Sequence, residues 1–206
     1  MAARAVLPVR AAAGGARRPA ARPQRRSVLQ GSAALLLGAS AAPPAFALDV
    51  GESAPAFTLP RTGGGEVALS EALKAADWTV LYFYNQDGSP GCSLEAARFE
   101  QALGDFASAK AQVLGVSMDS LESHEDFCSK KGLSFPLLSD ATGEVSKAYG
   151  ADLTLPIFGK FSDRQTFLID AGGTVRAHWL ERDGSMASVK TPAHTDQILE
   201  AIKTLA

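Results

Sequence analysis

The segment Trp78-Thr79-Val80-Leu81-Tyr82-Phe83-Tyr84 is a nearly unbroken apolar and aromatic run. β-formers at that length predict a strand buried on both faces. Such a strand needs a layer on each side, so the chain must build a sheet covered by helices. The neighbouring sequence supplies them. Residues 92–107 place Ala96, Phe99, Leu103 and Phe106 close to helical spacing. Residues 111–118 read as a second buried strand. Ser120 is an N-cap for a helix reaching Lys131, and residues 142–149 form a short helix. Residues 166–170 and 175–180 flank the turn Asp170-Ala171-Gly172-Gly173, which predicts a hairpin. The last helix opens at Thr191-Pro192 and runs to about Leu205. Upstream, residues 51–59 are extended, and Gly63-Gly64-Gly65 turns the chain into a short strand over 66–69. Ser70 then caps a helix over 71–76. Parallel strands need a long crossover, so the closing hairpin makes the sheet mixed. Phe57, Phe83, Phe99 and Phe106 read as core. Phe158 and Phe161 read as core or loop packing ahead of Arg164, with the border of a pocket as the other reading.

Charge divides the chain. Its 206 residues carry a formal net charge of −2, but residues 1–48 hold seven Arg, no Lys and no acid. Residues 49–206 hold 13 basic and 22 acidic side chains, a net charge of −9. An acidic body repels polyphosphate chains and anionic membrane surfaces, which argues against nucleic-acid binding. No apolar run reaches 18 residues, so no membrane span is expected. Residues 1–24, rich in Ala, Arg, Gly and Pro, cannot build a core and match a transit peptide. Arg25-Arg26, an apolar stretch over 33–42 and Ala45-Phe46-Ala47 then read as an export signal with cleavage after Ala47. The pair resembles the two-part leader of thylakoid-lumen proteins, which implies the chloroplast and its thylakoid lumen. A disordered extension or a bacterial export signal is the plainer alternative. Two domains of sequence follow: a removed leader over 1–47 and a body over 48–206, large enough for one well-buried core.

The chemistry sits in the loop after the apolar run, Asn85-Gln86-Asp87-Gly88-Ser89-Pro90-Gly91-Cys92. A Cys at a helix start meets free backbone N–H groups and the positive end of the helix dipole, which favour a thiolate. An inert buried Cys92 is the bland alternative. Two cysteines are too few for a disulfide scaffold or a Cys-only zinc site. His124, His178 and His194 are scattered and lack the close pairing of a metal site, and nothing resembles a phosphate loop. There is no Cys-x-x-Cys. No metal or cofactor is expected.

Ser89-Pro90-Gly91-Cys92 after Tyr82-Phe83-Tyr84 resembles the active-site loop of peroxiredoxins, in particular the peroxiredoxin Q (bacterioferritin-comigratory) subfamily. Ala54-Pro55-Ala56-Phe57, Phe135-Pro136-Leu137-Leu138-Ser139-Asp140 and Arg164-Gln165-Thr166-Phe167-Leu168-Ile169-Asp170 are similar to its other segments. The resemblance spans almost all of residues 51–206. It implies a thioredoxin-like fold and a monomer that reduces hydrogen peroxide and organic hydroperoxides, recycled by a thioredoxin-like dithiol. By the same resemblance Cys92 is the peroxidatic sulfur, Ser89 contacts the peroxide and Arg164 stabilises thiolate and transition state. Glu95 either orients an Arg or stands as a solvated first-turn acid. Two positions depart from the family. Asn85 replaces a Pro seven residues before the Cys, and Ala97 replaces a common resolving Cys. Cys128 fits the variant with a resolving Cys in the next helix; its alternative is a structural thiol with an external resolving partner. A non-catalytic thioredoxin-like module, acting as redox sensor or binding protein, is the rival function.

Overall fold

The computed structural model describes residues 48–157, 159–180 and 193–206. The leader over 1–47, Phe158 and the expected helix start at Thr191-Pro192 lie outside the described residues. In chain order the first elements are β1 (Thr58–Pro60), β2 (Glu66–Ala68), α1 (Leu69–Ala75), β3 (Trp78–Phe83), α2 (Pro90–Ser108), β4 (Ala111–Ser117) and α3 (Leu121–Lys131). The remainder are β5 (Leu137–Ser139), α4 (Glu144–Ala148), β6 (Asp152–Leu155), β7 (Gly159–Ser162), β8 (Gln165–Asp170), β9 (Val175–Leu180) and α5 (His194–Leu205).

The apolar run becomes β3, the centre of a five-stranded sheet ordered β5-β4-β3-β8-β9. β3 pairs parallel with β4 and antiparallel with β8, and β8 pairs antiparallel with β9, so the sheet is mixed. Every β3 residue is buried. Its side chains alternate between two cores, as the two-residue period of a strand requires. Val80, Tyr82 and Tyr84 join Phe99 and Phe106 of α2, Phe127 of α3, and Ile198 and Ile202 of α5. Leu81 and Phe83 join Leu69 and Ala72 of α1, Tyr149 and Phe167 on the other face. Burying each of these large side chains contributes about 2–3 kcal/mol. The α/β fold with a mixed central sheet flanked by helices is therefore as expected. No helix of the described residues is long and apolar enough to cross a membrane.

The structure corrects several local expectations. Ser70 does not cap α1: the N-cap is Ala68, and the Leu69 N–H donates to the Phe57 carbonyl at 3.0 Å. The backbone just before β1 satisfies that orphan donor, so no side chain is needed. α2 starts at Pro90, two residues before Cys92, because Ser89 is its N-cap and Pro at the first position suits a helix start. β5 and the β6–β7 hairpin were not expected as strands. Ser120 caps α3, accepting from the Ser123 N–H at 3.2 Å, as expected. α5 begins at His194 after an Ala193 N-cap. Phe161 is half-buried on β7.

Candidate active site

The β3–β8 register builds the site. Phe83 pairs with Gln165, so the chain leaving β3 and the chain entering β8 meet at one end of the sheet. Arg164, the residue before β8, therefore arrives beside the loop that follows Tyr84. Its Nε donates to Asn85 Oδ1. Its guanidinium also lies flush against Gly91: a Cβ built there would stand 2.9 Å from Nη2 and 3.1 Å from Nη1. Cys92 is the next residue, 1% exposed and in the first turn of α2. The cation and the sulfur-bearing helix start are thus neighbours. Ser89 Oγ accepts from the Cys92 N–H at 3.4 Å, which leaves the hydroxyl proton for another acceptor.

Glu95, one turn further on, is buried rather than solvated. Its Oε2 lies 3.6 Å from Arg164 Nη1. Of the five expected site residues, Cys92, Ser89, Arg164 and Glu95 thus share one end of the sheet around the start of α2. Cys128 sits on α3, half-buried against the core cluster that contains Cys92. It lines a cavity of about 340 Å³ with Arg61, Thr62, Glu125 and Phe135. Burial pushes its thiol above the ordinary value and the Glu125 carboxylate adds to this, against a hydrogen bond to Thr62. Both cysteines are free thiols.

A second network ties the loop to α3. Asp87 Oδ1 accepts from the Tyr84 hydroxyl at 2.8 Å, and Oδ2 accepts from Ser123 Oγ at 2.7 Å. His124, fully buried, presents Nδ1 to Asp87 Oδ2 at 2.8 Å and Nε2 to the Leu138 carbonyl at 3.2 Å. The ring thus bridges the loop after β3 and the backbone of β5. Burial works to raise the Asp87 carboxyl, but the bonds from His124, Ser123 and Tyr84 outweigh it and hold the group below its ordinary value. Burial keeps the Tyr84 phenol well above its own, hence protonated and donating.

Sequence reasoning missed this network, because nothing in the spacing of Asp87 and His124 signals their meeting 37 residues apart. Among the described residues, Asp87, Asp119 and His124 also bring ligand-type atoms within 4.8 Å of one another. Asp119 Oδ2 already accepts from the Asp87 N–H at 2.9 Å and from Ser117 Oγ at 2.7 Å. Hydrogen bonds within the protein account for the cluster.

Comparison with known proteins finds relatives over the same part of the chain. A model of the AhpC/TSA family matches residues 50–178. A peroxiredoxin Bcp from Xanthomonas campestris pv. campestris is 36% identical over 153 residues, covering 73% of this chain and 91% of that protein. A chloroplastic peroxiredoxin Q from Sedum lineare is 35% identical over 155 residues, covering 75% and 78%. Among solved structures, the peroxidoxin BcpB of Mycobacterium tuberculosis superposes with a TM-score of 0.68 at 30% identity, covering 77% of this chain and 99% of that one.

Proposed function

Since the chain belongs to the AhpC/TSA family and is a peroxiredoxin, a thiol-dependent peroxidase, we propose that Cys92 is its peroxidatic sulfur and Cys128 its resolving one. The observation that carries the reading is the Arg164 guanidinium held against Gly91, beside a buried Cys at a helix start. The Cys92 thiolate attacks one oxygen of the hydroperoxide. The O–O bond breaks, the sulfur keeps the attacked oxygen as a sulfenic acid, and water or an alcohol leaves after taking a proton. Arg164 stabilises the charge that passes from sulfur to the departing oxygen. Ser89 offers its hydroxyl proton to the bound peroxide, and Glu95 holds Arg164 at Nη1.

The Cys128 thiolate then attacks the Cys92 sulfur, expels the hydroxyl as water and closes an internal disulfide. Bridging needs Cα atoms within about 7 Å, and any wider separation is closed by local unwinding around Cys92. An external dithiol of the thioredoxin kind reduces the bridge. The substrates are hydrogen peroxide and organic hydroperoxides, and the working protein is a monomer comprising residues 48–206. The basic leader and the chloroplastic name of the Sedum relative support a chloroplast address, with the thylakoid lumen as the site.

Mass spectrometry of the reduced protein after one equivalent of peroxide tests both sulfurs. The expected product is a Cys92–Cys128 bridge. A persistent Cys92 sulfenic acid with Cys128 free would remove the resolving role. Oxidation confined to Cys128 would remove the peroxidatic one.

A further inference from the structure

Asn85 breaks the family pattern, and its side chain is engaged at both ends. Oδ1 accepts from Arg164 Nε, while Nδ2 donates to the Ser162 carbonyl at 3.0 Å. An arginine Nε only donates and a carbonyl only accepts, so a half-turn of the amide would break both bonds. The amide orientation is therefore fixed. The anchor is equally firm. Ser162 is buried at the end of β7, and its Oγ bonds Ser146 Oγ at 2.8 Å. Ser146 Oγ donates in turn to the buried Asp140 Oδ2 at 2.8 Å, which also accepts the Ser146 N–H at 2.7 Å. A continuous polar strap thus runs from Asp140 through Ser146, Ser162 and Asn85 to Arg164.

We propose that Asn85 is a positioning residue for Arg164: its amide pins Nε and so aims the two terminal guanidinium nitrogens at Gly91 and the Cys92 turn. A neutral amide suits the task, because it accepts from the guanidinium without cancelling its charge. Glu95 already sets one carboxylate 3.6 Å from Nη1, and a second at the place of Asn85 would weaken the field at the sulfur further. Such a guide matters because a long arginine side chain loses much rotamer freedom when fixed. The proposal rests on the reading that Arg164 serves Cys92, and its test separates the two.

The rate of Cys92 oxidation by hydrogen peroxide is measured by stopped flow in wild type, Asn85→Ala, Arg164→Ala and the double variant. Asn85→Ala is expected to slow oxidation about tenfold, as for one hydrogen bond to a charged group. The double variant is expected to be no slower than Arg164→Ala alone, because Asn85 acts only through Arg164. In ¹⁵N NMR the Arg164 Nε–H signal is expected to resist solvent exchange in wild type and to lose that protection in Asn85→Ala. Asn85→Ser, too short to reach Nε, replaces Asn85→Ala if the latter does not fold. Rate losses that multiply in the double variant, or an Asn85 variant with wild-type rate, would overturn the proposal while sparing the role of Arg164. An Arg164→Ala protein with wild-type rate would overturn both.

Discussion

At the scale of single residues, the site works by contact between a cation and a helix start. Gly91 has no Cβ because the guanidinium of Arg164 occupies that space. Gly91→Ala is expected to push Arg164 off its seat and slow Cys92 oxidation without loss of fold, which stopped-flow kinetics and a thermal melt check together. Arg164→Ala is expected to slow the same step about 10²-fold, the scale of losing one preorganised donor to developing charge. Cys128 behaves differently. Its thiol is raised by burial, so the attacking thiolate is scarce at neutral pH. Disulfide closure after oxidation should therefore accelerate with rising pH, close to about tenfold per unit below the thiol's own value. A closure rate independent of pH would show that another step, such as helix opening, limits it.

At the scale of elements, the loop over 85–89 is held from two sides, by β7 through Asn85 and by α3 through Asp87 and His124. His124→Ala would leave the Asp87 carboxylate, with its side chain 6% exposed, without its bond to the His124 ring. A loss of about 2 kcal/mol in urea unfolding is expected, the size typical of leaving a largely buried polar group short of one hydrogen bond. Asp87 is depressed in the folded state, so its contribution is present at neutral pH. It is lost as pH falls through that depressed value.

Much of this layer was legible in the sequence. β3 is a nearly unbroken apolar run, β4 is a mostly apolar one, α2 carries Phe99 and Phe106 at helical spacing, and α3 has its serine cap. β5 was not, because three residues in a Pro-containing stretch carry no period. β6 and β7 were not, because their mostly exposed residues lack alternation. The Cys92 loop was legible through its resemblance, and so was Arg164. The use of Asn85 was not: it depends on the antiparallel register of β3 and β8, which joins residues 79 apart and leaves no local pattern. The absent Pro therefore reads as a position put to another use.

At the scale of the whole molecule, acid stability follows from a histidine that takes no part in the chemistry. His194 at the start of α5 packs against Phe99 and Trp179, and its Nε2 lies 2.9 Å from Thr166 Oγ1. Burial lowers its value to about 4. Above pH 6.5 the ring is neutral folded or unfolded, so no stability is at stake. As pH falls toward 4 the unfolded chain takes up a proton that the folded one refuses, and stability drops. His178 is lowered by burial too and adds in the same direction. Between pH 7 and 4.5 the His194 share is about 2–3 kcal/mol. Urea unfolding of wild type and His194→Gln at both pH values should show the variant losing less by that amount; equal losses would contradict the burial argument.

All of these layers converge on one sulfur. Stopped-flow mixing of the fully reduced protein with hydrogen peroxide tests that most directly. The expectation is oxidation orders of magnitude faster than free cysteine under the same conditions, absent in Cys92→Ser and retained in Cys128→Ser. Oxidation no faster than free cysteine, or unchanged in Cys92→Ser, would contradict it.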